Sequence, residues 1–181
     1  MKKLLVWFLE PLYLRLTIFF GACGFILYAN TAGICNSFKR EVLNGIHALG
    51  TGTGVPARTV SVADVVKCAL FLASGSLSPS ATTAYAVTSE VANSGSYTAG
   101  GSTVTQADPQ LFTNTGTWNP SASLSWTTFT ATAFDTALFY NSSQSNKAIE
   151  LCNFGSQTIT AGTFTLTMPT AGAATSLIQL T

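Results

Sequence analysis

Charge is scarce in this chain. Only 8% of its 181 residues are Asp, Glu, Lys or Arg, against about 25% in an ordinary soluble domain. Eight Lys/Arg balance seven Asp/Glu to a net +1, so the basic stripe of a nucleic-acid binder is missing. Histidine is scarcer still. His47 is the only one, which removes most general-base chemistry and histidine-rich metal sites. The four cysteines, Cys23, Cys35, Cys68 and Cys152, stand too far apart for a zinc knuckle. One disulfide would fit an exported chain, whereas a cytosolic assembly protein keeps its thiols reduced. No Ser sits in a nucleophile elbow, and Gly52-Thr53-Gly54 lacks the Gly-Lys of a phosphate loop. No residue pattern calls for a catalytic set, a cofactor or a metal. Binding, assembly and structural roles remain.

The few charges are unevenly spread. Residues 1–73 carry seven Lys/Arg and three acids, net +4, while residues 74–181 carry only Lys147 against Glu90, Asp108, Asp135 and Glu150, net −3. Thr, Ser, Gly and Ala fill the second part. Small polar and β-branched residues without charge fit strands packed on each other or on other subunits. So little charge is a solubility hazard for a free monomer, which favours life in an assembly.

A long hydrophobic run is also missing. Lys2-Lys3 followed by residues 4–9 opens like a signal sequence, but Glu10, Pro11 and Arg15 interrupt it. The next uncharged stretch, residues 16–29, has 14 residues, short of the about 20 a spanning helix needs. Phe20-Gly21-Ala22-Cys23 is similar to a lipoprotein box, in which the cysteine is acylated. Residues 1–30 therefore read as an apolar extension: a signal, an anchor, or the product of a misplaced start. A later start would need a codon other than ATG, since Met168 is the only other methionine. Contact with a membrane is expected only if this segment is retained.

Residues 31–62 read as a helix and a Gly-rich loop. Asn36 and Ser37 are good caps, and Phe38, Val42, Leu43 and Ile46 recur at helical spacing. The pattern predicts an amphipathic helix over residues 37–48, ending before Gly50, Gly52, Gly54 and Pro56. His47 lies near its C-terminus.

Residues 63–181 read as a β-domain. Strands are expected at 65–72, 85–91, 97–99, 102–105, 124–130, 134–140, 148–154, 157–160, 163–168 and 176–180. This spacing of about ten residues is the rhythm of an antiparallel sandwich. Gly100-Gly101 and Ala161-Gly162 signal short turns, and residues 141–146 a polar loop. The inward parity changes between Trp126 and Phe129, which predicts a β-bulge near Thr127-Thr128. The expected fold is all-β: an antiparallel sandwich of jelly-roll or immunoglobulin size, preceded by one helix.

Other residues invite chemistry without compelling it. Glu90, Asp108, Asp135 and Glu150 could pair as glycosidase carboxylates, but nothing marks two as neighbours, and solvated loop positions are the plain expectation. Lys147 could form an isopeptide bond to an Asn with Glu150 as proton shuttle. Asn141-Ser142-Ser143 fits a glycosylation sequon, which matters only on a eukaryotic secretory route. Cys68 and Cys152 lie in apolar strands as buried thiols. Trp118, Trp126, Phe129, Phe134, Phe139 and Tyr140 read as core and subunit contact, while an exposed Trp118 beside Asn119-Pro120 would make a carbohydrate platform.

The stretch from Ile34-Cys35-Asn36-Ser37-Phe38-Lys39 to Gly45-Ile46-His47 resembles the opening of a family of small tailed-phage virion proteins. Lys67-Cys68-Ala69-Leu70-Phe71 is similar to that family's F-K-x-A-L-Y strand. Thr83-Ala84-Tyr85, Glu90-Val91 and Gly95 to Gly101 resemble its T-x-Y…E-V…G-Y-x-A-G-G segment. Phe139-Tyr140-Asn141, Phe154-Gly155 and Ala161-Gly162-Thr163-Phe164-Thr165 resemble its Y-N…D-F-G…G-x-F-x-[IV] end. The likeness runs in order over about residues 33–181. Asn153 departs from the family's frequent Asp, and an Arg usual before the Y-N strand is absent. The resemblance implies a non-enzymatic virion component made in the host cytoplasm, foremost a capsid decoration or cement subunit. Its implied partners are the major capsid protein, other virion subunits and further copies of itself; a trimer would suit capsid threefold points. Phe38, Val42, Leu43 and Ile46 are the candidate assembly contacts. A tail or fibre adsorption module, contacting glycans through Trp118 and Asn119, is the first alternative. A bacterial surface lipoprotein acylated on Cys23 is the second.

Overall fold

Two long strands, each joined across what the sequence suggests are breaks, organise the chain. In the computed structural model residues 30–51 and 63–181 are described. Residues 1–29 of the apolar extension, Cys23 among them, and residues 52–62 of the loop lie outside the described residues.

The elements in order are β1 (Gly33–Ile34), α1 (Asn36–Leu43), β2 (Val66–Leu72), β3 (Ser102–Thr103), β4 (Gln110–Phe112), β5 (Thr115–Trp118), β6 (Leu124–Asn141), β7 (Lys147–Leu166) and β8 (Ile178–Leu180). Five strands form an antiparallel sheet in the order β1-β7-β6-β2-β3, and three form a second in the order β4-β5-β8. The described residues are thus mostly β, with two antiparallel sheets and one short helix.

The expected strands at 124–130 and 134–140 are one strand, and those at 148–154, 157–160 and 163–168 are another. Bulges reconcile the two readings. The pairing shifts register between Trp126 and Phe129, as the parity change predicts, and again up to Phe134. Thr128 and Ala133 take left-handed φ values of 53° and 52°. Each inserted residue resets the alternation, so that Trp126, Phe129, Ala131 and Phe134 all face inward. Ala161-Gly162, expected as a turn, is a bulge of the same kind inside β7, with Ala161 at φ 48°. The polar loop at 141–146 does turn β6 into β7.

Two expected strands, 85–91 and 97–99, are absent. Those residues make only the isolated bridges Phe71↔Glu90, Ala84↔Lys147 and Ser94↔Tyr97. Gly100-Gly101 is a turn, at φ 92° and 68°, but it leads from that irregular segment into β3 rather than joining two strands. A Cβ on Gly101 would overlap the Cys68 carbonyl, so the turn is pressed onto β2. Conversely, β4 and β5 form a hairpin that the sequence conceals, because its turn is Thr113-Asn114, with Thr113 at φ 55°, instead of a glycine pair.

The helix is shorter than its apolar periodicity. It stops at Leu43 because Gly45 turns left-handed at φ 62°. The Gly45 N–H then bonds the Val42 carbonyl (2.9 Å) and the Ile46 N–H the Glu41 carbonyl (3.0 Å), the paired closure of a Schellman motif. Its N-cap is Cys35, not Asn36 or Ser37, and no side chain caps it.

The core is aromatic. Trp126, Tyr97, Phe38, Phe71, Phe129, Phe134 and Phe139 are essentially inaccessible. Phe134 meets Phe129 and Phe164 edge-on at 5.3 and 4.9 Å, and Trp126 stacks on Phe164 at 5.8 Å. Trp118 and Ile178 of the small sheet and Phe38 of α1 belong to the same core. Cys35, Cys68 and Cys152 are free thiols; burial pushes the Cys35 thiol up to about 12.

Candidate functional site

The acids expected to be solvated are mostly interior. Glu41, Asp64, Glu90, Asp135 and Glu150 are all buried. A buried carboxylate persists only where donors or a cation replace its water, and four of the five have them.

Glu41 projects inward from α1 and accepts from Lys147 Nζ at the start of β7 (2.7 Å) and from His47 Nε2 (3.0 Å). The His47 Nδ1 lies 3.0 Å from the Asn141 amide nitrogen. Asn141 Oδ1 already accepts from the Ser143 and Gln144 N–H groups, so its NH₂ faces Nδ1 and the imidazole proton sits on Nε2. The same Asn141 amide donates to Asp64 Oδ2 (2.7 Å), which also receives the Ala48 N–H (2.8 Å). Gln144 closes the group on Asp64 Oδ1 at 3.0 Å. With both ring nitrogens engaged and the side chain 1% exposed, His47 bolts the end of α1 to the β6–β7 turn. Burial opposes ionisation of Glu41, but the hydrogen bonds of Lys147 and His47, with the Lys147 charge, hold its carboxyl below the usual range. Lys147 is therefore committed to Glu41, and the isopeptide geometry with Glu150 is not the one adopted.

Glu90 pins the irregular segment. It accepts from the Tyr85 and Tyr97 hydroxyls (2.6 and 2.8 Å) and from the Gly100 N–H (2.7 Å). Burial, with the Glu90 carboxylate adding to it, pushes both phenols upward. Asp135, fully buried, accepts from Asn30 (2.7 Å), Thr136 (2.8 Å) and Asn153 (3.2 Å). Asn153 thus supplies a donor to a carboxylate. Glu150 is the exception: its Oε2 is buried with no partner among the described residues, and burial pushes its carboxyl up to about 8 despite the Lys39 charge nearby.

Burying the acids empties the surface of charge. Of the five charged side chains in residues 74–181, none is exposed; Asp108 and Lys147 are half-buried. Among the described residues the only fully exposed charges are Lys39 and Arg40, adjacent on α1. Next to them Leu43 is 88% exposed.

The candidate assembly residues therefore divide. Leu43 is offered to solvent, Val42 and Ile46 are half-buried, and Phe38 is a core residue whose ring lies 4.7 Å from His47. Lys39 and Arg40, exposed beside Leu43, are the members of the patch that the sequence reading did not name. Trp118 and Asn119 are not loop contacts. Trp118 ends β5 at 3% exposure, in the wall of an apolar cavity of about 380 Å³ between α1 and the small sheet. Asn119 is buried, donating to the Pro169 carbonyl and accepting from the Leu177 N–H, both at 2.6 Å. An indole enclosed in this way offers no platform to a sugar.

Comparison with known proteins returns no matching family model, no matching curated protein and no matching solved structure.

Proposed function

We propose that this chain is a non-enzymatic structural subunit of a tailed-phage virion, foremost a capsid decoration or cement subunit. One observation carries the assembly reading: most acids are spent inside as hydrogen-bond hubs, while among the described residues the β surface exposes Ser, Thr, Ala and Gly and no charge there is more than half-exposed. Such a surface suits burial against neighbours, because no ion has to be desolvated on contact. The sequence resemblance supplies the virion context. In this reading the two sheets face each other as a jelly-roll-sized sandwich, supported by the single core that Trp118 and Ile178 share with the large sheet. The exposed face of α1 (Lys39, Arg40 and Leu43) docks on the major capsid protein. Small contacts repeated by symmetry add avidity against internal pressure.

Quantitative mass spectrometry of gradient-purified particles tests this. A copy ratio near one to the major capsid protein is expected. A ratio of a few per cent would move the chain to the tail, and absence from particles would overturn the virion reading.

A further inference from the structure

The outer edge of β7 is unprotected. In the sheet order β1 lies outside β7, yet it pairs only with Glu150 and Leu151. Among the described residues, β6 is the sole strand partner of residues 155–166. The backbone along this edge has donors and acceptors to offer, and natural edges of such length are normally guarded by Lys, Pro or an inward charge. None of these is present: residues 151–181 contain no Asp, Glu, Lys, Arg or His, and the first proline is Pro169. Gly155, at φ 80°, breaks the strand where this edge begins, and a second interruption is the bulge at Ala161. Beyond it, residues 162–166 alternate regularly, with Thr163 and Thr165 exposed and Phe164 and Leu166 half-buried. The two apolar side chains pack on the core from one face, leaving area that an added strand would cover.

We propose that two copies of this chain join through the outer edges of residues 162–166, antiparallel about a twofold axis, so that one sheet runs across both. The occupant follows from the charge pattern. A charged partner finds nothing to hold on this edge, whereas an identical neutral edge meets no repulsion and, run antiparallel, closes as a twofold contact. With the axis at Phe164, Thr163 of one copy faces Thr165 of the other. The proposal stands on the sheet edge and is independent of the virion reading.

Sedimentation of the purified full chain tests it. The wild type is expected at dimer mass. T163K/T165K sets lysine against lysine at both positions and should weaken the dimer roughly tenfold or more. T163K/T165E sets lysine against glutamate and should restore it. A monomeric wild type, or two double variants that behave alike, would overturn the pairing. Should the lysine pair perturb folding, hydrogen exchange of the wild type decides: slow amides within residues 162–166 that quicken on dilution support the contact, and concentration-independent exchange refutes it. Particle incorporation, measured separately, bears on the virion reading alone.

Discussion

Glu150 is the residue whose environment departs furthest from its chemistry. Buried with an unpartnered oxygen, it keeps its proton up to about pH 8, while in the unfolded chain it ionises near the ordinary glutamate value of about 4.3. Between those limits the folded state binds the extra proton. Stability is therefore complete below the unfolded value, falls as pH rises toward 8, and is level above. The slope is at most about 1.4 kcal/mol per pH unit, a few kcal/mol across the window. Denaturant titrations from pH 5 to 9 should show this fall, and Glu150→Gln should flatten it. An unchanged slope in the variant would place the titration elsewhere. Glu41 runs the other way: its lowered carboxyl contributes stability above the unfolded value that is lost as acid reaches its folded value.

At the scale of elements, α1 is inseparable from the sheet. Cys35 donates its N–H to the Ile149 carbonyl (2.9 Å), Phe38 enters the core and Glu41 seizes Lys147. A deletion of residues 31–50 would therefore remove core along with any docking surface. Point changes separate the two. Phe38→Ala should cost about 3–5 kcal/mol, whereas Leu43→Ala, on the same helix, should stay within about 0.5 kcal/mol. Equal losses in thermal denaturation would mean that Leu43 is covered in solution. Much of the β pattern is legible because alternation survives between bulges: Leu124, Trp126, Phe164 and Leu166 fall where the period-two reading puts them. The joins are illegible, since a bulge and a turn both look like a break in alternation. Only cross-strand pairing, 71–72 with 134–136 for example, tells them apart.

Across the whole molecule, the fully exposed cations among the described residues lie on one helix, while Lys67 and Lys147 on the β body are half-buried. If α1 docks on capsid, Lys39→Glu/Arg40→Glu should leave folding unchanged, because both side chains are exposed. It should nevertheless lower occupancy on particles, more so at low salt, where screening is weakest. Competition for particle sites between variant and wild type measures this, and equal occupancy would move the docking surface off α1.

Composition and the order of neighbouring residues determined that this chain is mostly β, nearly uncharged and without histidine clusters, because strand alternation, β-branched content and counts of ionisable groups are local properties. The bulge at Thr127-Thr128 and the β6–β7 turn follow from neighbours in the chain. The tertiary structure decided where the acids go. Asp135 receives Asn30 from 105 residues away and Glu41 receives Lys147 from 106 away. No spacing rule reaches so far, because a buried carboxylate is tolerated only where distant donors converge on it, and their convergence is a property of the fold.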